Sequence, residues 1–338
     1  MTRTISALMA TSMLVAAAGM AAAQELNIYS SRHYDTDEAL YSGFEEATGI
    51  QINRIEGDAD ELMARMQAEG RNSPADIFLT VDVSRLNRAV EAGLLQPVDS
   101  ALLEAAIPAH LQDDENRWFG ISQRSRILFY NTELVETPPA TYADLADPAY
   151  EGLVCIRSST NTYNQTLLAA IIAHEGEEAA REWAAGVVRN FARSPQGGDT
   201  DQLRGVASGE CGVAVSNTYY FVRALREQVD GVTEHLDVIG YVFPDQEGNG
   251  AHMNVSGAGV AVNAPNRAAA VAFLEYLASE DAQVYFSSGN NEYPAVDGVP
   301  MVAELAGLGD FVADDIDLSE VAANLGAAQR IFNEVGWP

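Results

Sequence analysis

The sequence predicts an α/β protein built as two lobes with a ligand cleft between them. Short apolar runs alternate with stretches of helical period, and each of the first three such stretches stops at a glycine. The alternation gives way to an extended run over residues 118–131 and then restarts. Two extended stretches, near 120–130 and near 241–257, are placed to cross between the two units. Short, turn-rich links of this kind argue for a parallel sheet with helices on both faces. Clefts between such units are the usual place for a ligand.

Residues 1–23 are read as a signal peptide and stand outside this fold. Arg3 supplies a positive start, 5–18 is apolar, and Ala21, Ala22 and Ala23 form a small-residue cleavage site before Gln24. The apolar run is short for a membrane span, and no Cys follows it for lipid attachment. The mature chain is therefore expected to be exported across a membrane. Its first unit begins with a buried strand over 26–30. A helix over 35–48 ends at Gly49, a strand covers 51–55, and a helix over 59–69 ends at Gly70. A strand over 75–80 and a helix over 84–92, ended by Gly93, complete the series. After the crossing come a strand over 152–157, helices over 163–174, 177–188 and 201–208, and a strand over 211–215. Beyond the second crossing are a strand over 257–262, helices over 267–279 and 280–287, and a helical tail over 318–335.

Acidic residues number 49 against 19 basic ones, for a net charge of −30, and every basic residue is Arg. Such a surface disfavours nucleic acid and anionic membranes as partners. The acids are dispersed along helices, as on a solvated surface. With 47% hydrophobic residues the chain can bury real cores. Cys155 and Cys211 fall in separate strand-like runs. A disulfide between them is favoured over two buried free thiols because export makes oxidation available. With no third Cys and no Cys-x-x-Cys pair, a zinc site is not supported.

The chemistry gathers at strand ends, where α/β proteins bind ligands. The first strand ends in Ser30-Ser31-Arg32-His33-Tyr34. The strand at Cys155 runs into the hydroxyl-rich stretch from Ser158 to Tyr163. The strand after Cys211 runs into Ser216-Asn217-Thr218-Tyr219-Tyr220, with Arg223 on the same helical face as the two tyrosines. Taken alone, such an aromatic pair packs more often than it binds. Three strand ends that each deliver a tyrosine make a stronger case for a ligand site. A phenol ionises near pH 10, so only a strong cation nearby makes it a phenolate at neutral pH. Hard trivalent iron suits that oxygen donor best, while softer divalent ions prefer imidazole and thiolate.

These stretches resemble the periplasmic ferric-iron-binding proteins of bacterial ABC importers. The resemblance is carried by residues 29–34, 73–76, 122–126, 157–165, 217–220, 256–260 and 291–294, and it spans essentially the whole mature chain. It implies the type II periplasmic-binding-protein fold: two α/β lobes, crossing strands and a metal in the cleft. The first lobe would comprise 24–123 plus 243–296, and the second 124–242 plus 297–338. Carried over by motif, the metal-ligating pair falls on Tyr219 and Tyr220. In the tyrosine-rich branch, similar to cyanobacterial iron-uptake proteins, further ligands fall on Tyr34 and Tyr163. The histidine ligand of other members falls on His33. Neighbours on an extended segment point opposite ways, so Tyr34 is ranked above His33. Arg124, Arg126 and Arg223 are expected to balance phenolate charge from outside the ligand set. A related branch places a Glu ligand just after the strand ending at Thr80; here Val81 and Asp82 stand there. That branch also binds a phosphate near 158–161, which a Tyr163 ligand makes less necessary. No synergistic phosphate is therefore expected.

The implied function is capture of Fe³⁺ and its delivery to an inner-membrane permease and its ATPase, by a monomer. The rival within the binding class is the same fold holding an anion or small organic solute through Arg124, Arg126 and the helix start near 158–162. A secreted hydrolase is disfavoured, since no Gly-x-Ser-x-Gly, Walker loop or clustered catalytic carboxylates occur. His110, His174 and His235 are read as solvated, and His252 as outside the cleft.

Overall fold

A computed structural model of the chain describes residues 25–32 and 34–338. The expected signal peptide at 1–23 and His33 lie outside the described residues.

The first unit opens with β1 (Glu25–Ser30), followed by α1 (Glu38–Thr48), β2 (Gln51–Glu56), α2 (Ala59–Glu69), β3 (Ile77–Thr80), α3 (Val83–Glu91), β4 (Leu95–Gln96) and α4 (Ala101–Ala106). α1 and α2 stop at Gly49 and Gly70, where the sequence puts them, while α3 ends at Glu91, one residue before its expected end. Gly49 closes α1 at φ 72°, a left-handed conformation that only a residue without Cβ adopts freely. The carboxylate of Asp58 accepts the Asp60 N–H at 2.8 Å and so starts α2. The long strand β5 (Phe119–Asn131) leads into the second unit. That unit holds β6 (Val154–Cys155), α5 (Thr162–Glu175), α6 (Glu177–Arg189), α7 (Asp199–Ser208), β7 (Val213–Asn217), α8 (Thr218–Arg226) and β8 (Ile239–Val242). β9 (Met253–Ala261) returns, followed by α9 (Arg267–Leu277), α10 (Glu280–Asn290) and β10 (Tyr293–Pro294). The tail holds α11 (Ala303–Ala306), α12 (Leu318–Ala323) and α13 (Leu325–Val335). The expected single tail helix is two, divided at Asn324.

One sheet runs through the molecule in the order β2-β1-β3-β9-β5-β7-β6. β1 pairs in parallel with β2 and β3, and β6 with β7, as expected. The sheet is nevertheless mixed. β9 is antiparallel to both β3 and β5, and β5 is antiparallel to β7. The physical reason is connectivity: β9 enters the sheet from the second unit, so it runs against its neighbours. β5 joins the halves by changing partners. Its Phe119–Ser125 portion pairs with β9, and Arg126–Tyr130 pairs with β7. β9 lies so close to its neighbours that a Cβ at Gly257 would come within 2.6 Å of Leu86 and 2.8 Å of the Phe119 carbonyl. Glycine there is a packing requirement.

Apolar side chains fill both halves. Ile28, Phe44, Phe78 and Phe273 pack around β1 and β3, and Leu167, Leu168 and Phe332 around α5 and α13. Ile127, Phe129, Leu203, Val206 and Phe221 form a second cluster beneath β5 and α8. Cys155 and Cys211 are joined in a disulfide, with Cα atoms 5.8 Å apart. Cys155 is in β6, and Cys211 lies two residues before β7, so the bridge ties β6 to the segment that enters β7, the strands that lead to α5 and α8. Among the described residues no helix is long and apolar enough to cross a membrane.

Candidate metal centre

The crossing strand, the start of α5, the start of α8 and the loop after β1 meet at one place. Tyr163 is the second residue of α5; Tyr219 and Tyr220 are the second and third of α8. The Asn161 side chain starts α5 by accepting the Asn164 N–H at 3.2 Å. At α8, Asn217 occupies the cap position, but its side chain turns inward to a guanidinium instead. All three phenols thus sit in the first turn of a helix, where the backbone dipole favours negative charge.

The hydroxyls of Tyr163 and Tyr219 are 3.3 Å apart. The ring of Tyr220 lies beside that of Tyr219, centroids 4.2 Å apart. Tyr34 arrives from the loop after β1 and meets Tyr219 edge to face at 6.2 Å. Its hydroxyl donates to Glu292 Oε1 at 3.1 Å. The structure therefore brings together four of the five tyrosine and histidine positions that the sequence points to. The fifth, His33, is outside the described residues. Among the described residues no group of three or more His, Cys, Asp or Glu side chains could hold a metal.

Burial pushes all four phenols above their ordinary range. For Tyr34 it acts together with the Glu292 carboxylate, and for Tyr219 with neighbouring Tyr163 and Tyr34. Tyr163 is pushed up less, because Arg124 and the Tyr219 hydrogen bond pull the other way. Tyr220 is raised by burial and by Asp199. Without a cation, burial keeps these phenols protonated.

The guanidinium groups form a collar. Arg124 and Arg126 are two apart on β5 and so share a face, at the point where the strand changes partners. Their guanidinium carbons lie 5.5 and 5.8 Å from the Tyr163 ring centre, and that of Arg157 lies at 5.7 Å. Arg223 sits 5.7 Å from the Tyr220 ring and donates to the Thr200 hydroxyl at 3.1 Å. Arg32 lies 4.7 Å over the ring of Tyr34. Arg126 is already engaged: Nη1 reaches Asp199 and Asn217, each at 3.0 Å, and Nη2 reaches Asn164 at 2.7 Å. Arg124 donates to the Val81 carbonyl and to Ser256 Oγ.

Three acids matter that the sequence alone does not single out. Glu292 takes the Tyr34 hydroxyl and the Ser122 hydroxyl, the latter at 2.6 Å, with Arg32 at 3.6 Å. Asp199 holds Arg126 and also accepts the Asn217 N–H at 2.9 Å. Asp37 clamps Arg32 through both oxygens. Only Glu292 carried a signal, through its place in the 291–294 stretch. Asp82, near the position of the alternative Glu ligand, is near enough to Tyr163 for its charge to help raise that phenol, but its oxygens are committed elsewhere. It caps α3 by accepting the Ser84 N–H at 2.8 Å and bonds the side chains of Thr166 and Asn254. His174, expected to be solvated, is exposed and also pairs with Asp314 at 2.9 Å. His252 is buried and does not join the phenol cluster.

Residues 39–316 match the family described as "Bacterial extracellular solute-binding protein". The chain is 48% identical to "Iron uptake protein A1" of Synechocystis sp., over 93% of this chain and 88% of that protein. It is 28% identical to the "Fe(3+)-binding periplasmic protein" of Serratia marcescens, over 93% of this chain and 92% of that protein. Among solved structures, the Trichodesmium protein (IdiA, FutA) "in complex with iron and citrate ligands" superposes with a TM-score of 0.88. Its identity is 47%, covering 93% of this chain and all of that one. The ferric binding protein from Campylobacter jejuni gives 0.87 at 41% identity, covering 93% of this chain and all of that one. The chain belongs to the bacterial extracellular solute-binding proteins, in the branch that holds these iron-uptake proteins.

Proposed function

We propose that the protein captures Fe³⁺ in the cleft and hands it to the permease of an ABC importer. The observation that carries this is the meeting of Tyr34, Tyr163, Tyr219 and Tyr220, from three separate strand ends, in a site ringed by arginine. Each phenol gives up its proton as Fe³⁺ arrives, because a trivalent cation at bonding distance outweighs the burial that keeps the phenol neutral. Four phenolates against Fe³⁺ leave one net negative charge, which Arg124, Arg126 and Arg223 offset from behind the ligands. The names of the relatives, all for binding or uptake, support a carrier and not an enzyme.

The lobes are placed at 24–123 with 243–296 and at 124–242 with 297–338. The change of partners along β5 and the packing of α12 and α13 on α5 support this division. Tyr34 then closes from the first lobe onto three tyrosines of the second. The mature protein acts in the periplasm as a monomer after loss of residues 1–23. A phosphate is not needed as a co-ligand, since Tyr163 fills the position by the helix start. The anion reading is weaker because both Nη atoms of Arg126 are already taken by Asp199, Asn217 and Asn164.

The visible spectrum of the mature protein with ferric citrate tests the reading. Phenolate-to-iron charge transfer colours the protein orange to red. A colourless protein with no bound iron sinks it.

A further inference from the structure

A cavity of about 310 Å³ lies between α5, α6 and the crossing segment through residues 245–252, and none of the four cleft tyrosines lines it. That volume is at the lower end of small-molecule pockets, about 300–1,000 Å³. One wall is apolar. Leu167, Ala170 and Ile171 come from one face of α5, and the Trp183 ring comes from α6.

His252 supplies the polar end. It is 2% exposed, and neither ring nitrogen has a hydrogen-bond partner. Its backbone is fully used: the N–H donates to the Tyr142 hydroxyl at 3.0 Å, and the carbonyl accepts from Arg126 N–H at 3.0 Å and from the Ser125 hydroxyl at 3.2 Å. The residue is fixed in place while its ring offers both hydrogen-bonding atoms. Burial and the nearby Arg126 and Arg124 charges push the imidazole down to about 3, so it is neutral and presents one donor and one acceptor. A buried imidazole left unpartnered in this way is costly.

The outer end is acidic. Asp245, Glu175 and Asp314 line the same cavity, and Glu175 is exposed at its edge. His174 pairs with Asp314 but leaves Asp245 and Glu175 without a cation. Burial and the neighbouring Asp144, Asp314 and Glu175 carboxylates push the Asp245 carboxyl up, as crowded like charges do.

We propose that this cavity is a second ligand site, selective for a small organic amine whose ammonium faces Asp245 and Glu175, whose apolar body lies against Trp183, Leu167 and Ile171, and whose far end carries a hydroxyl or similar group for His252. The site is independent of the iron reading and stands if that reading fails.

Isothermal titration calorimetry on the metal-free mature protein tests it with tyramine, phenethylamine and 3-(4-hydroxyphenyl)propionate. Tyramine is expected to bind one to one. Phenethylamine, which lacks the hydroxyl, is expected to bind about tenfold more weakly, the usual scale for one lost hydrogen bond. The propionate, with its charge reversed, is expected to give no heat of binding. Ala170→Phe fills the cavity from α5 and abolishes tyramine binding, while Tyr219→Phe leaves it unchanged. If Ala170→Phe does not fold, Asp245→Asn serves instead and weakens tyramine about tenfold. The proposal is overturned if millimolar tyramine gives no binding or if the propionate binds as well as the amine. It also fails if the folded Ala170→Phe protein, or Asp245→Asn in its place, binds tyramine like the parent.

Discussion

Tyr219 and Tyr220 do different work despite being neighbours. Tyr219 touches both Tyr163, through its hydroxyl, and Tyr34, through its ring. Tyr220 stands on the Arg223 side. Replacing any of the four tyrosines by Phe is expected to cut Fe³⁺ affinity and to weaken and shift the visible band. Arg223→Ala, which removes charge from behind the proposed ligands, is expected to cost about 10–100-fold in affinity, less than any Tyr→Phe change. Competition titrations against a coloured chelator rank them; an Arg223→Ala loss larger than that of Tyr219→Phe would refute the assignment. With these phenols as the ligands, loading iron releases protons, because burial holds them protonated in the metal-free protein. Affinity is therefore expected to fall as pH falls, and unbuffered protein should acidify on loading by up to one proton per phenol. No acidification would mean that water or anion, not phenolate, carries the metal.

At the scale of elements, the site depends on the ends of β6 and β7 being held side by side. The disulfide does this a few residues upstream of both helix starts. The 56-residue separation it closes corresponds to about 4 kcal/mol in the chain-entropy treatment. The paired change Cys155→Ala with Cys211→Ala is expected to lower unfolding free energy by about that amount in urea titrations. A difference below about 1 kcal/mol would show that β6 and β7 need no such tie. The strands and helix starts were readable in the sequence because glycine stops and apolar runs are local signals. The direction of β9 was not readable, since an apolar strand buried on both faces carries the same pattern whichever way it runs. The roles of Glu292 and Asp199 were hidden for another reason. Glu292 meets Tyr34 across 258 positions of chain, a pairing that exists only once the tertiary structure forms.

Over the whole molecule, the halves meet through polar contacts as well as through β5. Ser84 and Thr162 hydroxyls lie 3.2 Å apart, Arg85 Nη1 reaches Thr162 at 3.1 Å, and Arg226 bonds the Ser288 carbonyl at 2.8 Å on another edge. Buried His252 adds a pH term to the stability of this arrangement. Its imidazole is depressed to about 3 in the folded protein against about 6.5 when unfolded. Below pH 6.5 the unfolded chain takes up a proton that the folded one refuses, so stability present at neutral pH is lost as pH falls toward 3. The loss is on the order of a few kcal/mol. Urea unfolding at pH 7, 5 and 4 checks it: His252→Phe should show a shallower decline than the parent, and identical declines would rule the term out. The uneven sharing of the cluster has a kinetic meaning too. Three tyrosines come from α5 and α8, but Tyr34 comes alone from the loop after β1. With these four as ligands, a hinge that opens strips off a single donor and leaves the cargo on a tripod. An incoming chelator then starts exchange at one vacated coordination position, so the rate of dissociation follows the frequency of opening and not the strength of all four bonds.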